Sequence, residues 1–120
     1  MPTTIQPIIL TTDAERLAAF YAGLLGATET RRVPADGPVF FIGLTVDDAE
    51  VGVVADASVD TTVTPRVLIS IDVPDVDALL DRVGELGGKV LGPPNDMAWG
   101  QRVAHVQDPD GNPVNLTQPI

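Results

Sequence analysis

Two apolar stripes of helical period, each opened by an aspartate and closed by glycine, recur along this chain at almost the same spacing. Behind Thr12 and Asp13, which can cap a helix with Glu15 in its first turn, Leu17, Phe20, Tyr21, Leu24 and Leu25 fall at i, i+3, i+4, i+7 and i+8, and Gly26 follows. Behind Asp75, the residues Val76, Leu79, Leu80, Val83 and Leu86 repeat the pattern, and Gly87 and Gly88 follow. Asp13 to Gly26 is 13 positions and Asp75 to Gly87 is 12, so the two helices match to within one. Strand-like segments flank both: 5–10, 28–33, 39–46 and 50–55 around the first, and 67–73, 89–91, 101–107 and 113–118 around the second. The pattern is an internal duplication of a β-α-β-β-β unit. The fold class is therefore α+β: two tandem modules forming a curled mixed sheet around a cavity with helices outside.

The polar, Thr-rich stretch ASVDTTVTP marks the seam, which gives one domain over 1–120, with module one at 1–56, a linker at 57–65 and module two at 66–120. At 120 residues there is room for one ordinary domain. The chain has no Cys and a single histidine, His105, which excludes disulfides, thiolate metal sites, Cys nucleophiles and any site needing two histidines from one chain. Seven basic against 17 acidic residues leave a net charge of −10, so nucleic acid and anionic membranes are poor partners and cationic or neutral ligands are favoured. No apolar run approaches membrane-spanning length, and a soluble cytoplasmic protein is expected.

The segments DAERLAAFYAGLLG (13–26), DVPDVDALLDRVGELGG (72–88), WGQR (99–102) and DPDGNPVNL (108–116) resemble the vicinal oxygen chelate superfamily, which holds glyoxalase I, ring-cleaving dioxygenases and bleomycin-resistance proteins. The resemblance implies two modules whose sheets curl around a central cavity. Its metal-dependent members place four ligands on that face, and the corresponding positions here hold Gln6, Gly52, Leu68 and Asn115. Gly52 and Leu68 cannot ligate, and Asn115 offers only a weak neutral oxygen. A register slip of two residues brings Glu50 and Ser70 instead, still a poor site, so no metal and no cofactor are expected.

Strand alternation reads the cavity independently. Pairing Val46 with Ala49 across Asp47 and Asp48 sets Phe41, Gly43 and Thr45 on one face with Glu50, Gly52 and Val54, and Phe40, Ile42, Leu44, Val51 and Val53 under the helix. In the second module Val67, Ile69, Ile71 and Val73 face the helix, leaving Leu68, Ser70 and Asp72 opposite. Pairing Asp108 with Asn112 sets His105 opposite Asn115 and Val103 opposite Thr117. The expected ligand-binding set is Phe41, Trp99, His105, Asn115, Gln6, Thr45, Glu50 and Thr117, a mixed apolar and polar lining suited to an organic ligand. For Trp99 the ligand role comes from the resemblance, since bleomycin-resistance proteins carry a Trp-Gly here that stacks on planar rings. Pro7 in the first strand likewise resembles theirs, where such a proline accompanies exchange of the N-terminal strand in a homodimer.

The expectation is a non-enzymatic homodimer that binds and sequesters an aromatic or cationic natural product, in the manner of an antibiotic-resistance protein, with no catalytic residues. The alternative is a metal-dependent glyoxalase-like lyase or isomerase, or a dioxygenase, with an atypical ligand set built on Gln6, Glu50 and His105. A third possibility, a metal-free enzyme using His105 as acid or base, has no positive sign in the sequence.

Overall fold

Asp13 starts the first helix, its carboxylate accepting the Arg16 backbone N–H at 3.1 Å, and α1 then runs Ala14–Leu25. Gly26 ends it in the left-handed conformation, φ 69°, where a side chain is strained. Twelve residues are marginal as an isolated helix, so its stability comes from the buried stripe of Leu17, Phe20, Tyr21 and Leu24, flanked by Ala14 and Ala18. Each of the large side chains contributes about 1.5–3 kcal/mol on burial. The Phe20 and Tyr21 rings meet edge to face with centroids 5.0 Å apart.

The computed structural model describes residues 4–120, which form two units divided between Asp60 and Thr61. In the first, the stripe of α1 covers a sheet of β1 (Ile8–Thr11), β2 (Thr28–Val33), β3 (Phe41–Val46) and β4 (Ala49–Ala55). The strand order is β1-β4-β3-β2, with β1 parallel to β4 and the other pairs antiparallel. Val46 lies opposite Ala49, and Asp47 takes φ 49° in the two-residue turn between them. Ile42, Leu44, Val53 and Thr11 are buried beneath the helix.

The second unit repeats the plan with one addition. Asp75 caps α2 (Val76–Glu85) by accepting the Ala78 N–H at 3.2 Å, and β5 (Ile69–Asp72) precedes it. After α2 come β6 (Lys89–Val90), β7 (Asn95–Asp96), β8 (Gln101–Gln107) and β9 (Pro113–Pro119), in the order β5-β9-β8-β6, with β7 also paired to β8. Here β5 is parallel to β9, as β1 is to β4. Val76, Val83, Ala104, Val106, Val114 and Leu116 are buried in this core. The chain is thus an α+β fold of two tandem modules, whose two sheets share no strand.

Four local expectations change. The first strand begins at Ile8, leaving Gln6 exposed ahead of it, because Pro7 has no N–H to give the ladder; its carbonyl still accepts from Gly52 at 2.8 Å. Phe40 is 57% exposed and does not pack under α1, although its N–H donates to the Val33 carbonyl and its own carbonyl accepts from Ala55, so the ladder reaches it and the helix does not cover it. Val67 is 73% exposed, lying ahead of β5. Between the expected strands at 89–91 and 101–107 the chain forms an additional one, β7, whose two residues are too few to show any period.

Two charge clusters tie each helix to its own sheet. Arg32 of β2 donates to both carboxylate oxygens of Glu15 on α1 at 2.8 and 2.9 Å, and to Glu29 at 2.9 and 2.7 Å. These hydrogen bonds hold both glutamates below the ordinary carboxylate range and push the Arg32 guanidinium up. Arg102 of β8 spans Asp96 on β7 at 2.8 Å and Asp77 on α2 at 3.2 Å. Its hydrogen bonds, to Asp96 first, raise its pKa.

Candidate functional site

Each sheet has one face under its helix and one facing away, and the expected ligand-binding residues on strands lie on the latter. In module one the register aligns Leu10, Val54, Phe41 and Val33 in one row, and Ile8, Gly52, Gly43 and Arg31 in the next. Residues paired across strands share a face, so these two rows are contiguous. Thr45 and Glu50 pair in the following row. Thr45 shares a hydrogen bond of 2.9 Å with Thr30, and Glu50 is exposed.

Phe41 does not stand off this face. Its ring folds over the paired glycines: a Cβ at Gly52 stands 2.8 Å from Phe41 Cε2 and 3.1 Å from Cζ, and one at Gly43 stands 3.3 Å from Cε1. Ile8 Cγ1 closes the other side of Gly52 at 3.2 Å. Glycine is therefore required at 52 by close approach, with backbone strain playing no part. The result is a low apolar shelf, half-buried at Phe41 and bordered by Ile8, Leu10 and Val33, each about half exposed.

In module two the face away from α2 carries Ser70 opposite Asn115 and Asn115 opposite His105, with Asp72, Thr117 and Val103 in the next row. His105 Nδ1 lies 2.7 Å from Asn115 Oδ1. Thr117 is buried, and its hydroxyl donates to the Ile71 carbonyl at 3.4 Å and Asp72 Oδ1 at 3.2 Å, which occupies it within the sheet. Asp72, on the face but outside the expected binding set, supplies a carboxylate there; its alternation with Ser70 is the signal that could have added it. Trp99 sits in the turn before β8, 69% exposed, with its indole N–H donating to Gln101 Oε1 at 2.8 Å and Gly100 behind it at φ 94°.

The four positions where the superfamily's metal enzymes carry ligands do not fit a metal. Gln6 is an exposed amide ahead of β1, and the space a side chain at Gly52 needs is filled by the Phe41 ring. Leu68 has no donor, and the Asn115 oxygen is engaged by His105. Among the described residues no group of three His, Asp or Glu side chains converges.

Two β-α-β-β-β modules in tandem, each with its first strand parallel to its last, define the class of this protein. The profile of the Glyoxalase/Bleomycin resistance protein/Dioxygenase superfamily matches residues 4–116, and the chain belongs to that superfamily. An uncharacterized protein of Mycobacterium bovis is 30% identical over 97% of this chain and 83% of its own length. Among solved structures, TioX from Micromonospora sp. ML1 superposes with a TM-score of 0.76 at 23% identity, covering 98% of this chain and 97% of TioX. The fosfomycin resistance protein FosX from Mesorhizobium loti gives 0.76 at 18%, covering 100% of this chain and 94% of FosX. At these identities the likeness to both establishes the fold. The superfamily's description joins glyoxalases and dioxygenases to resistance proteins, so membership embraces both catalysis and binding.

Proposed function

We propose that this protein binds and sequesters a small planar aromatic or cationic molecule, without catalysis, in the manner of the resistance proteins of its superfamily. The observation that carries this reading is the Phe41 ring lowered onto Gly43 and Gly52, which leaves a flat apolar shelf on the open face of module one. A planar ring stacked on an aromatic side chain contributes about 0.5–1.5 kcal/mol beyond the area it buries. The net charge of −10 supports a cation over an anion as ligand, through attraction across the whole surface. Trp99 offers a second exposed aromatic.

The metal-dependent alternative is disfavoured by the donor set, since Gly52 and Leu68 cannot ligate. The reading includes a homodimer, with exchange of the N-terminal strand at Pro7, and the half-exposed Ile8 and Leu10 support it as apolar surface left to cover. Sedimentation equilibrium tests that part, and a monomer at every concentration refutes it.

Calorimetric titration of the purified protein with a panel of planar aromatic cations and antibiotics tests the binding function. Saturable binding that weakens about threefold to tenfold in Phe41→Ala is expected, from the stacking contribution. No heat across the panel, or a stoichiometric transition metal in the protein purified without chelator, overturns it.

A further inference from the structure

Module two holds a polar pair whose proton can be placed. Asn115 Oδ1 is 2.7 Å from His105 Nδ1, across the register pair that joins β8 to β9. An amide oxygen has lone pairs and no proton, so the hydrogen of this bond belongs to Nδ1. A neutral imidazole carries only one N–H, which leaves Nε2 with a bare lone pair on an exposed side chain. Around the pair, Ser70 lies beyond Asn115, the Thr117 hydroxyl is turned onto Ile71 and Asp72, and the Asp72 carboxylate accepts from Thr117 through Oδ1 in the next row.

We propose that Asn115 is a positioning residue, fixing His105 as the Nδ1–H tautomer, so that Nε2 stands on the open face of module two itself as the acceptor for a ligand of that face carrying an N–H or O–H donor. The selectivity rests on the binding function proposed above; the tautomer does not. An amine, amidine or hydroxyl finds a partner in Nε2. A ligand with only carbonyl or ether oxygens, or with fully alkylated nitrogens, covers that lone pair and leaves it unmatched.

The chain has one histidine, so 15N-labelled protein gives a single imidazole in a long-range proton–nitrogen correlation spectrum. In the neutral imidazole a pyrrole-type Nδ1 and a pyridine-type Nε2 are expected. Asn115→Asp should keep that pattern, because a carboxylate accepts the same proton, and Asn115→Leu should lose it. A pyridine-type Nδ1 in the wild type, or an unchanged pattern in Asn115→Leu, overturns the assignment.

The ligand half is read with two acridinium dyes, proflavine, which carries amino donors, and 10-methylacridine orange, in which the ring nitrogen is methylated and both amino groups are dimethylated, so that no N–H remains. The wild type should bind proflavine about tenfold more tightly, and His105→Phe, checked for folding by circular dichroism, should abolish the preference. Equal binding of the two dyes by the wild type overturns the selectivity alone. Binding of neither overturns the binding function and the selectivity together, while the nitrogen spectrum still decides the tautomer.

Discussion

Phe41 Cε2 lies 2.8 Å from the point where a Cβ on Gly52 stands, closer than side chains pack, so the residue at 52 and the pose of the ring at 41 are one variable. Gly52→Ala forces the ring off its seat. On overpacking grounds it should cost about 1–3 kcal/mol in urea denaturation. In a Phe41→Ala background the same change should cost much less, because only Ile8 Cγ1, at 3.2 Å, still has to give and glycine is otherwise the weaker strand residue. Additive effects in that double-mutant cycle refute the coupling.

The Arg32 fork sets a pH dependence. Glu15 and Glu29 both have native pKa values below the ordinary 4.5, with the hydrogen bonds from Arg32 as the first cause. The stability they contribute is complete above the unfolded value and is lost as pH falls through the lowered native values. Denaturation midpoints should therefore decline with acid below about pH 4.5, and Arg32→Met should flatten the decline. All three groups lie at the surface, so the change is small. Parallel curves for wild type and variant would contradict this account.

Asp108 organises the turn between β8 and β9. Its buried carboxylate accepts the backbone N–H groups of Asp110 at 2.9 Å and Asn112 at 3.0 Å, and the Asn112 side-chain amide at 2.8 Å. Asp108→Ala leaves those donors without their acceptor and should destabilise by roughly 2–4 kcal/mol. Asp108→Asn keeps one oxygen and should cost less. Thermal unfolding of the two variants ranks them, and equal losses would mean that the charge alone matters.

Trp99, the chain's one tryptophan, is 69% exposed. Its emission should be that of an indole in water, and acrylamide, a neutral quencher that the acidic surface does not repel, should quench it efficiently. A blue-shifted, quencher-resistant emission would show the indole covered in solution.

Alternation and two turn motifs were enough to place most of the open faces: Val46 opposite Ala49 puts Phe41 with Gly52, and Asp108 before Asn112 puts His105 beside Asn115. The errors fall where a strand starts, at Gln6, Phe40 and Val67, because alternation gives the face of a residue but not where the strand begins or how far the helix covers it. Sequence showed two glycines that subtract volume but not that Phe41 folds into the space they leave, since rotamers follow from packing. The Arg32 fork joins residues 17 apart through long side chains, and no local period encodes such a meeting.

The strand order of module one also bears on how far its sheet can extend. Its borders are β1 and β2. The first is four residues long, too short to template a growing ladder. The second reads TETRRV, and its Glu29, Arg31 and Arg32 put charge along the border that an incoming apolar strand must desolvate. The residues that moor β2 to α1 thus also resist edge-to-edge aggregation, which lets the protein keep an apolar shelf on its open face without recruiting further strands.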